Sequence, residues 1–199
     1  MAARSQAERS AATRAALIEA TLELLVEQGW AGITSVAVCE GAGLTRGAFV
    51  HHFDGLPALF AAALDARYRQ LADSAQREAP AQSVGEFVTR TWESIVAADF
   101  KVVIEAWLAS ANDPELSAAI GPVVERFAKL VHPERHSRLL ADDEAQAFFL
   151  MARETMFGLA LGRATNRGRA VAHEGRVLEH LSQLAQQHDA RIGLIHSEN

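Results

Sequence analysis

The stretch that decides the fold is TSVAVCEGAGLTRGAFVHHF, residues 34–53. Thr34 and Thr45 each precede a short segment with helix-like spacing, and a threonine hydroxyl is a favoured N-cap of an α-helix. Gly41 and Gly43 lie between the two segments and interrupt helical structure. The stretch therefore predicts two short helices joined by a turn, and helices of this length are stable only when they pack on a longer neighbour.

The longer neighbour precedes this stretch. Apolar residues recur at helical spacing from Leu17 to Leu25, so we expect a first helix from about Thr13 to Gln28, which Gly29 ends. Two short helices braced by a longer one are the elements of a helix-turn-helix, in which the second short helix enters the major groove of DNA.

Composition places limits on the function. The chain has 199 residues, 49% of them hydrophobic and 22% charged, so it can bury a core without disulfides or metal. Its single cysteine, Cys39, cannot form an internal disulfide, and no apolar run reaches the roughly 18 residues of a membrane span. We therefore expect a cytoplasmic protein with no membrane partner. The formal net charge of -6 provides no general attraction to nucleic acid, so any DNA binding has to rely on a local surface.

Beyond residue 56 the helical spacing continues, and alternating strand patterns are missing. We predict an all-α protein of about nine helices. Residues 1–56 are expected to form the helix-turn-helix domain, with a flexible N-terminal arm at 1–12, and residues 57–199 a second helical domain. Pro122 is expected to kink or divide the seventh helix.

The second short helix has a distinct outward face. Phe49 and Phe53 are one turn apart and are expected to point inward. The residues left to solvent or to a partner are Arg46, Gly47, Ala48, His51 and His52. An arginine fork matches the edge of a guanine, and hydroxyl groups donate to phosphate oxygens. The candidate DNA-contacting residues are Thr34, Ser35, Thr45, Arg46, Gly47, Ala48, His51 and His52.

The same region resembles the TetR family of bacterial transcriptional regulators. The resemblance rests on Thr34-Ser35, the Ala42-Gly43-Leu44 turn, the run from Thr45 to Ala48, and the closing His52-Phe53, all at the family's spacing. It implies a homodimeric repressor that binds a palindromic double-stranded DNA operator and is released by a small-molecule effector. It also implies that position 46 reads bases and that positions 34, 35 and 52 contact phosphates.

Three positions depart from the family pattern, and one of them is Cys39, where the family usually has a small alanine. Val50 and Leu56 stand where the family usually has a tyrosine and a lysine that contact phosphates. Residues 1–70 carry six arginines against seven carboxylates, so the DNA-binding region is about neutral. We therefore expect DNA binding to be weak in salt unless the arm from Arg4 to Arg14 assists, because fewer phosphate contacts mean a lower affinity.

The second domain has the composition of a ligand-binding and dimerisation domain. Apolar side chains from several helices are candidates to line a cavity for a hydrophobic ligand, and these are Trp92, Phe100, Trp107, Phe127, Phe148 and Met151. The eighth helix, from about Asp142 to Arg163, is apolar on most sides, so we expect a second subunit to cover it. A large pocket between the last two helices is the competing explanation. The candidate interface residues are Met156, Gly158, Leu159, Gly162, Leu181 and Leu184.

Other functional classes have weaker support in the sequence. His132 and His136 are four residues apart with Glu134 between them, but Pro133 disfavours a regular helix face there, so we predict neither a metal site nor a cofactor. No phosphate-binding glycine loop or nucleophile motif occurs, so we do not predict an enzyme. The alternative to a DNA-binding regulator is a helical dimer that binds a small molecule or a protein and has lost DNA binding.

Overall fold

The computed structural model describes residues 5–77, 79, 81–97, 100–130, 138–140 and 143–197. These residues contain nine α-helices and no strand, which confirms the all-α prediction. The helices are α1 (Gln6–Gln28), α2 (Ser35–Gly41), α3 (Arg46–His52), α4 (Leu56–Arg77), α5 (Val84–Ala97), α6 (Phe100–Ser110), α7 (Pro114–Leu130), α8 (Asp143–Thr165) and α9 (Glu174–Ser197). In the described part of the chain, none of them is both long and apolar enough to cross a membrane.

Helix α1 begins earlier than the apolar pattern predicted. Ser5 and Glu8 form a capping box, in which the Glu8 N–H donates to the Ser5 hydroxyl at 3.2 Å and the Ser5 N–H donates to the Glu8 carboxylate at 2.7 Å. Residues 6–12, predicted to be a flexible arm, are therefore the first turns of α1. The remaining residues of that arm, 1–4, lie outside the described residues.

The described residues form two compact units, and their boundary differs from the predicted division at residue 56. The first unit contains the residues up to Ala72 together with Lys101–Phe127, and the second contains 73–100 and the residues from 128 onward. Helix α6 belongs to the first unit and forms polar contacts there that local sequence patterns do not predict. The Lys101 ammonium donates to the Val26 carbonyl, and the Trp30 N–H donates to the Glu105 carboxylate at 3.1 Å.

The core of the first unit is built around α1. Leu17, Leu25, Val38 and Phe60 are fully buried, so each contributes about 1.5–3 kcal/mol relative to an exposed side chain. Helix α7 runs unbroken past Pro122, which is exposed, so the predicted division of this helix is wrong.

The second unit packs α8 against α5 and α9. The N-terminus of α5 is capped from α9, because the Asp189 carboxylate accepts the N–H groups of Val84 at 2.6 Å and Gly85 at 3.1 Å. Arg163 at the end of α8 donates two hydrogen bonds to Glu174 at the start of α9, at 2.8 and 2.6 Å. These hydrogen bonds lower the pKa of Glu174 and raise that of Arg163. Charge-assisted hydrogen bonds therefore connect α5 to α9 and α8 to α9 in this bundle of three helices.

Candidate nucleic-acid interface

Threonine hydroxyls cap both short helices at their N-termini. The Ala37 N–H donates to the Thr34 hydroxyl at 3.1 Å, and the Ala48 N–H donates to the Thr45 hydroxyl at 3.3 Å. Both threonines remain exposed. Because a hydroxyl that accepts an N–H keeps its own hydrogen, each can still donate to a phosphate oxygen.

The turn between α2 and α3 depends on one glycine. Gly43 has a φ of 64°, in the left-handed region that glycine adopts without strain. The following Leu44 N–H returns to the Cys39 carbonyl at 2.8 Å, which closes the turn. The Cys39 thiol is buried, consistent with a packing role. The turn therefore sets the direction in which α3 leaves α2.

Two phenylalanines anchor the inner face of α3. Phe49 and Phe53 are both buried, with their ring centroids 6.3 Å apart. The Arg14 guanidinium of α1 lies 4.8 Å from the centroid of the Phe53 ring, which adds a cation–π contact to the apolar packing. With this side held in the core, α3 presents its other side outward.

The outward side of α3 contains most of the predicted DNA-contacting residues. Arg46, Gly47 and His51 are exposed, whereas Ala48 and His52 are half-buried. The space beside Gly47 is open, since an added Cβ would lie no closer than 3.7 Å to another atom, the Thr45 hydroxyl. On α2, Thr34 is exposed and Ser35 half-buried. The structure thus brings the eight predicted residues onto two adjacent short helices.

Sequence reasoning underrated Val50. Its side chain is 62% exposed, and it lies one turn after Arg46 on α3, on the same side of the helix. From the sequence, Val50 was expected only to lack a phosphate contact. Leu56, another departure from the family pattern, is half-buried in the first turn of α4.

The predicted ligand-lining residues do not form a single group. Trp107 and Phe127 belong to the first unit. Phe127 stacks on Tyr68 with ring centroids 3.8 Å apart and ring planes 5° from parallel. Burial raises the pKa of Tyr68 to about 12. Tyr68 is the chain's only tyrosine. It was not predicted as a site residue, because it lies in a stretch whose apolar residues have the spacing of an ordinary core helix.

The other four candidates belong to the second unit, where each has a different neighbour. Trp92 lies under the Arg163 guanidinium at 5.6 Å, and Phe100 stacks on Phe157 at 5.0 Å. The structure also leaves Met151 half-exposed and places Phe148 against the His188 ring. Each of these four side chains therefore has its own neighbour, and their role in ligand binding stays a prediction.

An open groove of about 550 Å³ lies between α8 and α9. It is lined by Met151, Thr155, His173, Arg176, Val177, His180, Leu181 and Leu184. Among the described residues, no group of three side chains could hold a metal ion. The candidate metal residues His132, Glu134 and His136 lie outside the described residues.

Three of the predicted dimer contacts are corrected by the structure. Met156, Leu159 and Leu181 are at most 5% exposed within one chain, so they have almost no surface to offer a second subunit. They are buried because α8 packs against both α5 and α9. Gly162 is closed off by Val171, which an added Cβ would meet at 3.0 Å, whereas Gly158 faces open space.

Comparison with known proteins identifies this arrangement. Residues 17–63, which include α2, α3 and most of α1, match the family of bacterial regulatory proteins named tetR. This chain resembles that family over its helix-turn-helix. It is 29% identical over 167 residues to the HTH-type transcriptional regulator CymR of Pseudomonas putida, covering 79% of this chain and 82% of CymR.

Solved structures show that other proteins share the fold of this chain. A transcriptional regulator from Rhodococcus sp. Rha1 superposes with a TM-score of 0.68 at 17% identity, covering 89% of this chain and 96% of that protein. The multidrug binding protein EbrR complexed with ethidium gives a TM-score of 0.62 at 23% identity, covering 87% and 98%. These two likenesses show the fold of the chain.

Proposed function

We propose that this chain is a tetR-family regulator of transcription, a homodimeric repressor that binds a palindromic operator and leaves it when a small hydrophobic molecule binds. The observation that carries the proposal is the placement of Arg46. It is exposed at the start of α3, while Phe49 and Phe53 hold the opposite side of that helix in the core. A guanidinium in this position can form two hydrogen bonds with a guanine edge in the major groove.

Dimerisation is supported by the outer side of the second unit. Leu150, Met151 and Leu161 of α8 are exposed apolar side chains, and Gly158 leaves room for close helix approach. A second copy related by a two-fold axis would bury these residues together with Leu184 in the α8–α9 groove. The symmetry would then place two α3 helices about one DNA turn apart, roughly 34–36 Å.

A hydrophobic effector is supported by the aromatic cluster of the first unit. Trp107 of α6 is partly exposed, and Tyr68 and Phe127 stack beside one another. The structural neighbour EbrR binds the aromatic cation ethidium, so the fold accommodates such molecules. Because α6 also bonds to the end of α1 through Lys101 and Glu105, a ligand that displaces α6 would act on the DNA-binding helices.

The test begins with duplexes selected by the protein from a random pool. Arg46→Ala should lower affinity for the selected operator by about 100-fold, because each subunit loses one guanine contact. Arg77→Ala, which removes an exposed arginine from the end of α4, is the matched control and should bind normally. Sedimentation of both variants should show an unchanged dimer.

The alternative is a small-molecule or protein-binding dimer without DNA binding, motivated by the neutral DNA-binding region and by Val50 and Leu56. The two functions separate at about 50 mM salt, where phosphate contacts are strong. If the duplexes that the protein selects from the random pool at this salt concentration share no sequence, the alternative is favoured. A repressor further requires that operator occupancy lowers transcription from an adjacent promoter in a reconstituted assay.

A further inference from the structure

The most exposed of the large apolar side chains in the described residues belongs to the recognition helix. Val50 is 62% exposed and follows Arg46 by one helical turn, on the same side of α3. Phe49 and Phe53 already supply the inner side of this helix. Val50 therefore contributes little to the core of the first unit, and its two methyl groups face whatever α3 binds.

The chemistry of the valine side chain restricts what it can recognise in DNA. It has no polar atom, so it cannot donate to a phosphate or pair with the donors and acceptors of a base edge. Burying such an edge against methyl groups would leave its polar atoms unpaired, at a cost in free energy. Thymine is the one base that presents an apolar group, its C5-methyl, in the major groove.

We propose that Val50 is a specificity residue that reads the C5-methyl group of a thymine close to the base contacted by Arg46. The inference rests on the proposed function, because it requires that α3 enters the major groove. The open space beside Gly47, between these two residues, allows the helix backbone to approach the base edges closely. The branched side chain also has few rotamers to lose on binding, which keeps the entropic cost low.

The experiment replaces each thymine of the selected operator, one at a time, with deoxyuridine, which lacks only the C5-methyl. Affinities are measured by fluorescence anisotropy for the wild-type chain and for Val50→Ala. At one position in each half-site, deoxyuridine should weaken wild-type binding about fourfold, the worth of one buried methyl group. Val50→Ala removes the contact from both half-sites, so it should bind the unmodified operator about 16-fold more weakly and lose nothing further at that position.

The matched control is Val36→Ala. Val36 is 53% exposed on α2, in the same helix-turn-helix but outside the recognition helix, and the change removes the same two methyl groups. This variant should keep the wild-type response to deoxyuridine at every position. Both valines are exposed, so circular dichroism and thermal unfolding should show unchanged folds.

Three outcomes would overturn the inference. Equal deoxyuridine effects in wild type and Val50→Ala would mean that Val50 touches the sugar-phosphate backbone or nothing at all. If Val36→Ala also no longer responds to deoxyuridine, the lost response of Val50→Ala would reflect a general weakening of DNA binding. The absence of any Arg46-dependent binding would remove the proposed function and this inference together, whereas Arg46-dependent binding without Val50 coupling removes this inference alone.

Discussion

The backbone N–H of Trp30 donates to the Glu105 carboxylate at 3.1 Å, joining the segment after α1 to helix α6. The same carboxylate lies within 3.0 Å of where a Cβ on Gly29 would stand. Lys101, one turn earlier on α6, donates to the Val26 carbonyl in the last turn of α1. Lys101 thus satisfies a carbonyl that the C-terminal turn of α1 leaves without a helical partner, and Glu105 accepts the Trp30 N–H just beyond the helix.

Removal of the Glu105 carboxylate should destabilise the first unit. Glu105→Ala leaves the partly buried Trp30 N–H without its acceptor, so the free energy of unfolding should fall by about 1–2 kcal/mol. Glu105→Gln keeps an oxygen that can accept the bond and should cost less. Urea unfolding of the three proteins measures the difference, and equal stability of Glu105→Ala and wild type would contradict this role.

Gly29 should tolerate alanine poorly for two separable reasons. Its φ of 71° is strained for an L residue, and the added Cβ would stand 2.9 Å from the Glu105 carboxylate, so Gly29→Ala should cost about 2 kcal/mol or more. In the Glu105→Ala background the crowding disappears while the strain remains, so the cost of Gly29→Ala should be smaller there. Denaturant unfolding of the four proteins in this double-mutant cycle measures the coupling.

Gly43 is a useful comparison for Gly29. Its φ is 64°, but no atom lies within 4 Å of an added Cβ. Gly43→Ala should therefore cost about 1 kcal/mol from strain alone, and it should show no coupling to Glu105→Ala. Coupling at Gly43 as large as at Gly29 would mean that close contact with Glu105 is not its cause.

The Arg163–Glu174 pair should make stability depend on acid pH. The Arg163 hydrogen bonds hold the pKa of Glu174 below its ordinary value of 4.5, so the unfolded chain binds more protons than the folded chain as this group titrates. The contribution is therefore complete above about pH 4.5 and is lost as the pH falls through the lower folded value. Glu174→Gln should cost about 1–3 kcal/mol at pH 7 and flatten the acid slope.

Glu144→Gln is the matched control for that measurement. Glu144 also pairs with an arginine, Arg191, but its side chain is 67% exposed, so solvent screens the pair. Guanidinium unfolding between pH 3 and pH 7 should show nearly the wild-type slope in this variant. A slope equally flat in both variants would assign the acid dependence to some other group.

Tyr68 should ionise only in strong alkali while the chain is folded. Burial raises its pKa from 10.0 to about 12, and as the chain's only tyrosine it gives an unambiguous absorbance change at a wavelength of about 295 nm. Because the raised folded pKa favours the neutral phenol, its contribution of about 3 kcal/mol is complete below pH 10.0 and is lost between pH 10.0 and about 12.

Tyr68→Phe isolates that effect from other groups that titrate in alkali. The variant should lack the absorbance change, and its stability should fall less steeply than that of wild type from pH 10 upward. A midpoint near 10 in the folded wild-type chain would show that the phenol is not shielded from water.

Local signals were enough for the helix-turn-helix. Thr34 and Thr45 each cap the helix that follows directly, and the positive φ of Gly43 forms the turn between the two helices. Each of these signals therefore concerns neighbours within about one helical turn. The capping box of Ser5 and Glu8 was equally local, and the sequence reading overlooked it. The helical spacing of apolar residues likewise predicted the all-α class, because an amphipathic helix repeats every 3.6 residues or so.

Tertiary structure alone decided which helices belong together. Glu105 meets Trp30 across 75 residues of chain, and no spacing rule links positions that far apart. An apolar pattern shows that a side chain will be buried but not against what, so Met156 and Leu159 suited a dimer contact until α5 and α9 were seen to cover them. The exposure of Val50 is also decided by the tertiary structure, because it depends on the burial of Phe49 and Phe53 on the opposite side of α3.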